Sequence, residues 1–263
     1  MIQQLKFYLG AVFVLPFLPL LIWQGKRLRA SIPDLPEADG SRKGREGHGE
    51  PPFNLLVLGE STMAGVGVRH QNDGIVCQMA SALAGKTNRE INWEVIAKSG
   101  YNARKTLNEL VPQITNTPFD VVVIGLSVND VIERNSPLGW KRDLIQLLKA
   151  VRARQACPIV MANRGPVEYF PAFPWTFKMV LGNLIKLNWK VIQDLPTIIP
   201  DFYLMNNTIR WKEWQQKVDF PTSPADFFSD GVHPSKLTYR LWAEEIADFI
   251  VQNKILEPKV LRD

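Results

Sequence analysis

The chain has 263 residues, 46% hydrophobic and 22% charged, with a formal net charge of +5 at pH 7. That length suits one large α/β domain or two small ones with a sizeable core. The mild basic excess, partly clustered near the amino end, is not a nucleic-acid footprint, and Cys77 and Cys157, far apart and without CxxC spacing, argue against a disulfide framework or zinc site; they read as small buried hydrophobes.

Residues 7–23, FYLGAVFVLPFLPLLIW, carry no charge. The run is at the short end for a membrane-spanning helix and long for the apolar part of a signal peptide. Pro16 and Pro19 should kink it. No small-x-small cleavage site follows, so an uncleaved anchor is favoured over a removed signal, and over an apolar helix buried in the domain. Lys26, Arg27 and Arg29 follow the span, and Arg42, Lys43 and Arg45 lie further on, whereas only Lys6 and the amino terminus precede it. The basic flank tends to stay cytoplasmic, which predicts an outside amino terminus and a cytoplasmic body. Residues 30–52 are rich in Pro, Gly and charge and read as linker, with His48 solvated in it. The expected organisation is an anchor over 1–25, a linker over 26–52 and one folded domain over 53–257.

From residue 53 strand and helix patterns alternate. Phe53–Leu58, between Pro51-Pro52 and Gly59, is the first buried strand. A helix is predicted over 73–87, with Ile75, Met79, Ala82 and Leu83 on one face. Ile91–Ala97 is the second strand, followed by Gly100, and 103–116 a second amphipathic helix. A third, fully apolar strand runs from Asp120 to Gly125. A helix over 137–153, a strand over Pro158–Ala162, a short strand over 201–206 and a closing helix over 235–252 complete the pattern. Residues 164–200, rich in aromatics and prolines, interrupt it as an insertion with one helix near 175–190. Such alternation predicts a parallel sheet with helices on both faces.

The residues able to do chemistry follow strand ends or precede the last helix. Ser61 follows the first strand, Gly100 the second and Asn129-Asp130 the third. Parallel strands bring these positions to one sheet edge. A serine hydroxyl needs a base to become nucleophilic, and histidine is the usual one near neutral pH. The chain has three histidines. His233 follows Asp230 by three residues on a Gly-containing turn before Pro234, so the carboxylate can fix the ring's tautomer and orientation. Acyl transfer also needs oxyanion donors. The backbone N–H of Ser61, the N–H of Gly100 and the amide of Asn129 are the candidates. Each position also has a plain structural reading, as a helix cap or turn; their joint occurrence favours chemistry. His70 and Asp73 are rival acid–base groups without an evident orienting geometry, and a surface loop is their expected place.

Together Gly59-Glu60-Ser61-Thr62, Gly100, Val128-Asn129-Asp130 and Asp230-Gly231-Val232-His233-Pro234 resemble, in order and spacing, the four blocks of the SGNH hydrolases, the GDSL esterase/lipase family. Two positions depart. Glu60 stands where the family usually has Asp, and Ser127 where the third block usually has Gly. The resemblance implies a three-layer α/β/α flavodoxin-like fold and a catalytic set of Ser61, Asp230 and His233, with Ser61, Gly100 and Asn129 as oxyanion hole. It implies hydrolysis of an ester, thioester or acetylated sugar, with no metal or cofactor. A lysophospholipid or short acyl ester is the expected substrate, a carbohydrate O-acetyl group the alternative. A phosphate-cradling reading of GESTMAGVGV is disfavoured because GK[ST] is absent and His70 follows where a third glycine is needed. A non-catalytic membrane-tethered module would leave the four blocks coincidental.

Overall fold

The computed structural model describes residues 2–133, 136–207, 211–218 and 223–257. The apolar runs become the sheet. β2 (Phe53–Gly59) and β4 (Val121–Gly125) are almost wholly buried, as runs without alternation require in a sheet covered on both faces. β3 (Ile91–Ala97), β5 (Ile159–Met161) and β6 (Phe202–Leu204) extend it in the order β3-β2-β4-β5-β6. These five are mutually parallel, with Leu55 opposite both Trp93 and Val121. Counted in chain order alone they run 2-1-3-4-5, the flavodoxin-like order.

Helices cover both faces. α3 (Ile75–Thr87) and the closing α10 (Lys236–Gln252) pack with Phe53, Leu55 and Val57 on one side. On the other, α6 (Pro137–Arg154) packs with Leu56 and Leu58. Side-chain caps set two of these starts: Ser136 Oγ accepts from Gly139 N–H and Ser235 Oγ from Thr238 N–H. The result is the expected three-layer α/β/α architecture.

Two stretches differ from expectation. The helix predicted over 103–116 is a single α turn, α4 (Ala103–Lys105), continued by a π turn over Thr106–Leu110 and a 3₁₀ turn over Val111–Gln113. Pro112 has no N–H to carry an α ladder onward. The expected linker holds β1 (Lys43–Glu46), an edge strand antiparallel to β3. Ala38 is buried, and the Glu37 carboxylate accepts from Ser99 N–H at 2.7 Å. This segment therefore packs on the domain and braces the turn after β3.

The amino-terminal run forms α1 (Ile2–Val14) and α2 (Leu18–Ser31), joined through a 3₁₀ turn over Leu15–Phe17 at Pro16. None of its residues is buried. It lies along α7 (Trp175–Val191), the helix of the aromatic insertion. Thr176 Oγ1 donates to Gln24 Oε1 at 2.7 Å near one end, and Leu138 N–H to Gln4 Oε1 at 3.4 Å near the other. Among the described residues lie three further short helices, α5 (Val128–Ile132) after β4, α8 (Leu195–Ile198) before β6 and α9 (Trp211–Gln216) after it.

Candidate active site

β3 lies on one side of β2 and β4 on the other, so the loops after β2 and β4 flank the point where the winding of the sheet reverses. Crevices at such points hold the ligands of α/β sheets. Ser61 sits in the turn after β2, half-buried. Its C=O accepts from Val66 N–H at 3.0 Å, while its own N–H and hydroxyl have no hydrogen-bond partner among the described residues.

The segment carrying His233 is fastened to this same loop. Tyr239, buried at the start of α10, donates to Val66 O at 2.6 Å, and Ser229 Oγ donates to Gly67 O. Gly67 has φ +108°, and a Cβ there would stand 2.3 Å from Pro234 O. The approach of the two loops therefore needs glycine.

Asp230 uses both carboxylate oxygens. Oδ1 accepts from the N–H of Val232 at 2.9 Å and of His233 at 2.7 Å, and Oδ2 lies 2.7 Å from His233 Nδ1. Burial pushes this carboxyl up, but the ring and the two backbone donors outweigh it and hold it below the ordinary value. An ionised Asp230 keeps the proton on Nδ1 and leaves Nε2 as the basic nitrogen. Nε2 has no hydrogen-bond partner among the described residues.

Of the three expected oxyanion donors, the N–H groups of Ser61 and Gly100 are free of protein acceptors among the described residues. Gly100 has φ +78° with open space where a Cβ would stand, so its backbone conformation, not crowding, calls for glycine. The Asn129 amide donates one N–H to Tyr101 O at 3.0 Å. That bond ties the third block to the turn of the second and leaves one amide hydrogen for a ligand.

The two departures from the family pattern have a structural account. Ser127 has φ −168°, an extended value open to any residue, so the position does not demand glycine. Glu60 is buried, and its carboxyl receives the N–H of Ser127, Val128 and Asn129 at 3.1, 3.4 and 3.3 Å. Asp130, equally buried, receives Ala103 N–H at 3.1 Å. Burial, reinforced by the Asp130 charge, raises Glu60 to about 7, and burial likewise raises Asp130 to about 7. These two acids link the first block to the third and the third to the second. Reading the blocks as reacting groups alone misses this role. The signal for it is an acid beside each reacting residue at the end of an apolar strand.

The rival acid–base residues lie outside this arrangement. Asp73 pairs with Lys236 at 2.7 Å, and His70 is exposed, contributing a backbone bridge to Asp39. His48 is exposed as well. Among the described residues no cluster of ligating side chains could hold a metal. A mostly apolar cavity of about 40 Å³ lies against Thr62, Val128, Phe170, Phe228, Val232 and Trp242, beside the neighbours in sequence of Ser61 and His233.

The profile of the GDSL-like lipase/acylhydrolase family matches residues 57–241. No curated protein matches the chain. Among solved structures, TesA superposes with a TM-score of 0.56 at 19% identity, covering 77% of this chain and 99% of TesA. A lipolytic G-D-S-L family member from Veillonella parvula gives 0.55 at 11%, covering 77% and 99%. The acetyl xylan esterase AlAXEase gives 0.51 at 15%, covering 75% and 100%. At these identities the likeness establishes the fold.

Proposed function

The chain belongs to the GDSL-like lipase/acylhydrolase family, and on that premise we propose that it is a membrane-anchored serine esterase with Ser61 as nucleophile, His233 as base and Asp230 as the group that orients the base. The Ser61 hydroxyl attacks the ester carbonyl as His233 Nε2 takes its proton. Asp230, bonded to Nδ1, stabilises the imidazolium. The N–H groups of Ser61 and Gly100 and the remaining amide hydrogen of Asn129 receive the oxyanion. His233 returns the proton to the leaving alcohol, and a water activated in the same way releases the acid and restores Ser61.

The observation that carries this reading is the Asp230–His233 pair, bonded at 2.7 Å on a segment fastened to the serine loop. A fluorophosphonate probe tests it: labelling at Ser61, lost on prior treatment with a histidine-directed reagent, is expected, and absence of labelling on the folded protein would overturn the nucleophile.

The cavity beside Thr62 and Val232 points to a small acyl group, since about 10–15 Å³ already holds one water and about 40 Å³ has room for an acetyl or a little more. The same size suits the O-acetyl group of a carbohydrate, the second reading. p-Nitrophenyl esters of rising chain length, set beside an acetylated oligosaccharide, separate the two. The exposed apolar part of the helical run Ile2–Ser31 is the anchor in this proposal, and Lys26, Arg27 and Arg29 near the end of that run keep the body on the cytoplasmic side.

A further inference from the structure

The apolar run does not stand away from the domain. It lies against α7, with Gln24 bonded to Thr176 near one end and Gln4 to the backbone of Leu138 near the other. Between these fastenings α1 packs against α7, but α2 and α7 do not close. They leave a groove of about 320 Å³, walled by Leu18, Leu21 and Ile22 on one side and by Phe177, Val180 and Leu181 on the other. That volume is within the range of ligand clefts, about 300–1,000 Å³. No polar side chain lines it, so it offers nothing to a ligand except contact with hydrocarbon.

What borders the groove names its occupant. Lys26, Arg27 and Arg29 are exposed beside its Gly25 end, and none of them makes an ion pair among the described residues. Arg27 stacks over the ring of Trp23 at 5.5 Å. Trp23 is 56% exposed and Trp175, brought level with it by the Thr176–Gln24 bond, 71%. Tryptophans beside unpaired cations are the signature of a membrane–water boundary with anionic headgroups. Away from that end, Met179, Leu138 and the outer side of α1 continue the exposed apolar surface.

We propose that the groove between the amino-terminal helix and α7 holds an acyl chain of an anionic phospholipid, whose phosphate is met by Lys26, Arg27 and Arg29. It rests on the anchor reading above, with the run lying in the bilayer surface along α7, since a run that crossed the bilayer would part Gln4 from Leu138. The catalytic domain then lies with its α7 face on the bilayer instead of hanging from a free tether. The helical run extends roughly 45 Å at 1.5 Å per residue, so fastenings near both its ends bring α7 and the start of α6 to the lipid with it.

The test uses the full chain in vesicles of phosphatidylglycerol and phosphatidylcholine that contain a phosphatidylglycerol with a mid-chain diazirine. After photolysis, label is expected on both walls, in peptides covering 18–25 and 177–181. Val180→Trp, which fills the groove, should lower the α7 label at least fivefold at an unchanged melting temperature. Replacing Lys26, Arg27 and Arg29 together by Gln should bring labelling down to the level seen with a phosphatidylcholine probe in phosphatidylcholine vesicles. Label confined to residues 2–31, with α7 bare, would overturn the groove while leaving the anchor standing. Failure of the protein to enter the vesicle fraction would overturn both. Equal labelling from anionic and neutral probes would overturn the choice of an anionic phospholipid as the occupant.

Discussion

The Glu60 carboxyl caps the backbone that presents Asn129, accepting its N–H at 3.3 Å and those of Val128 and Ser127 at 3.4 and 3.1 Å. The residue before the proposed nucleophile thus positions the third proposed oxyanion donor. Glu60→Ala leaves three N–H groups in a buried site without an acceptor, at about 1–3 kcal/mol each where water does not replace it. The expected result is a lower melting temperature together with a reduced kcat, and KM changed much less. A variant with wild-type kcat would show that Asn129 keeps its place without this carboxyl.

Glu60 and Asp130 also predict how stability depends on pH. Both are raised to about 7 in the folded chain, whereas unfolded Glu and Asp titrate near 4.3 and 3.9. Between those values the folded state binds more protons than the unfolded one. Stability from these groups is therefore fully present below about pH 4 and lost as pH rises through about 7. Asp130→Asn should flatten the fall of melting temperature between pH 5 and 7, measured by calorimetry. An identical slope in variant and parent would contradict the raised value.

Within the proposed triad the losses should be unequal. Ser61→Ala and His233→Ala should each lower kcat by about 10⁶, and Asp230→Asn by about 10⁴, as expected for an orienting member. Asparagine can still accept the N–H groups of Val232 and His233, but it no longer holds the proton on Nδ1. Steady-state rates on a soluble ester decide this. Ser61→Ala within a few fold of the parent would remove Ser61 from the role of nucleophile.

Asn129→Ala should lower kcat by about 10²–10³, the usual cost of one oxyanion donor. It also removes the bond to Tyr101 O, so the turn carrying Gly100 should loosen. Hydrogen exchange over 99–103 is expected to quicken in the variant. Unchanged rate and exchange together would mean that neither role belongs to Asn129.

The proposed attachment to the membrane should be separable from the chemistry. The full chain should resist high-salt and carbonate washes, and a chain beginning at Pro33 should be soluble and fully active on small esters, because the segment 37–46 is retained. Release of the full chain by carbonate would contradict the anchor. Protease protection on sealed cells reports the side, and cleavage of the domain from outside would reverse the cytoplasmic placement.

The five parallel strands are legible because each is a mostly apolar run, and the convergence of the loops after β2, β3 and β4 follows from their being parallel. The remainder depends on contacts that sequence spacing does not encode. β1 reads KGRE and shows no apolar pattern, since its pairing with β3 is made by backbone. The break after Lys105 is visible only as Pro112, several residues downstream of where the helix changes form. Glu60 looks like a mild substitution until its depth and its three donors are known. Likewise the apolar run at 7–23 is plain in the sequence, but nothing in it foretells the hydrogen bonds that Gln24 and Gln4 accept from the domain.

The short charged strand β1 has one more consequence. Without it, β3 would be the outermost strand, presenting a row of unpaired N–H and C=O groups along Ile91–Ala97, a template onto which another chain can add. β1 closes that row with a strand whose Lys43 pairs with Glu94 at 3.0 Å and which carries Arg45 outward. The opposite edge is only Phe202–Leu204, too short to recruit a partner strand. A chain shortened to begin at Pro51 would therefore keep every proposed reacting group and yet tend to self-associate edge to edge, so that residues 43–46 serve as a guard against aggregation.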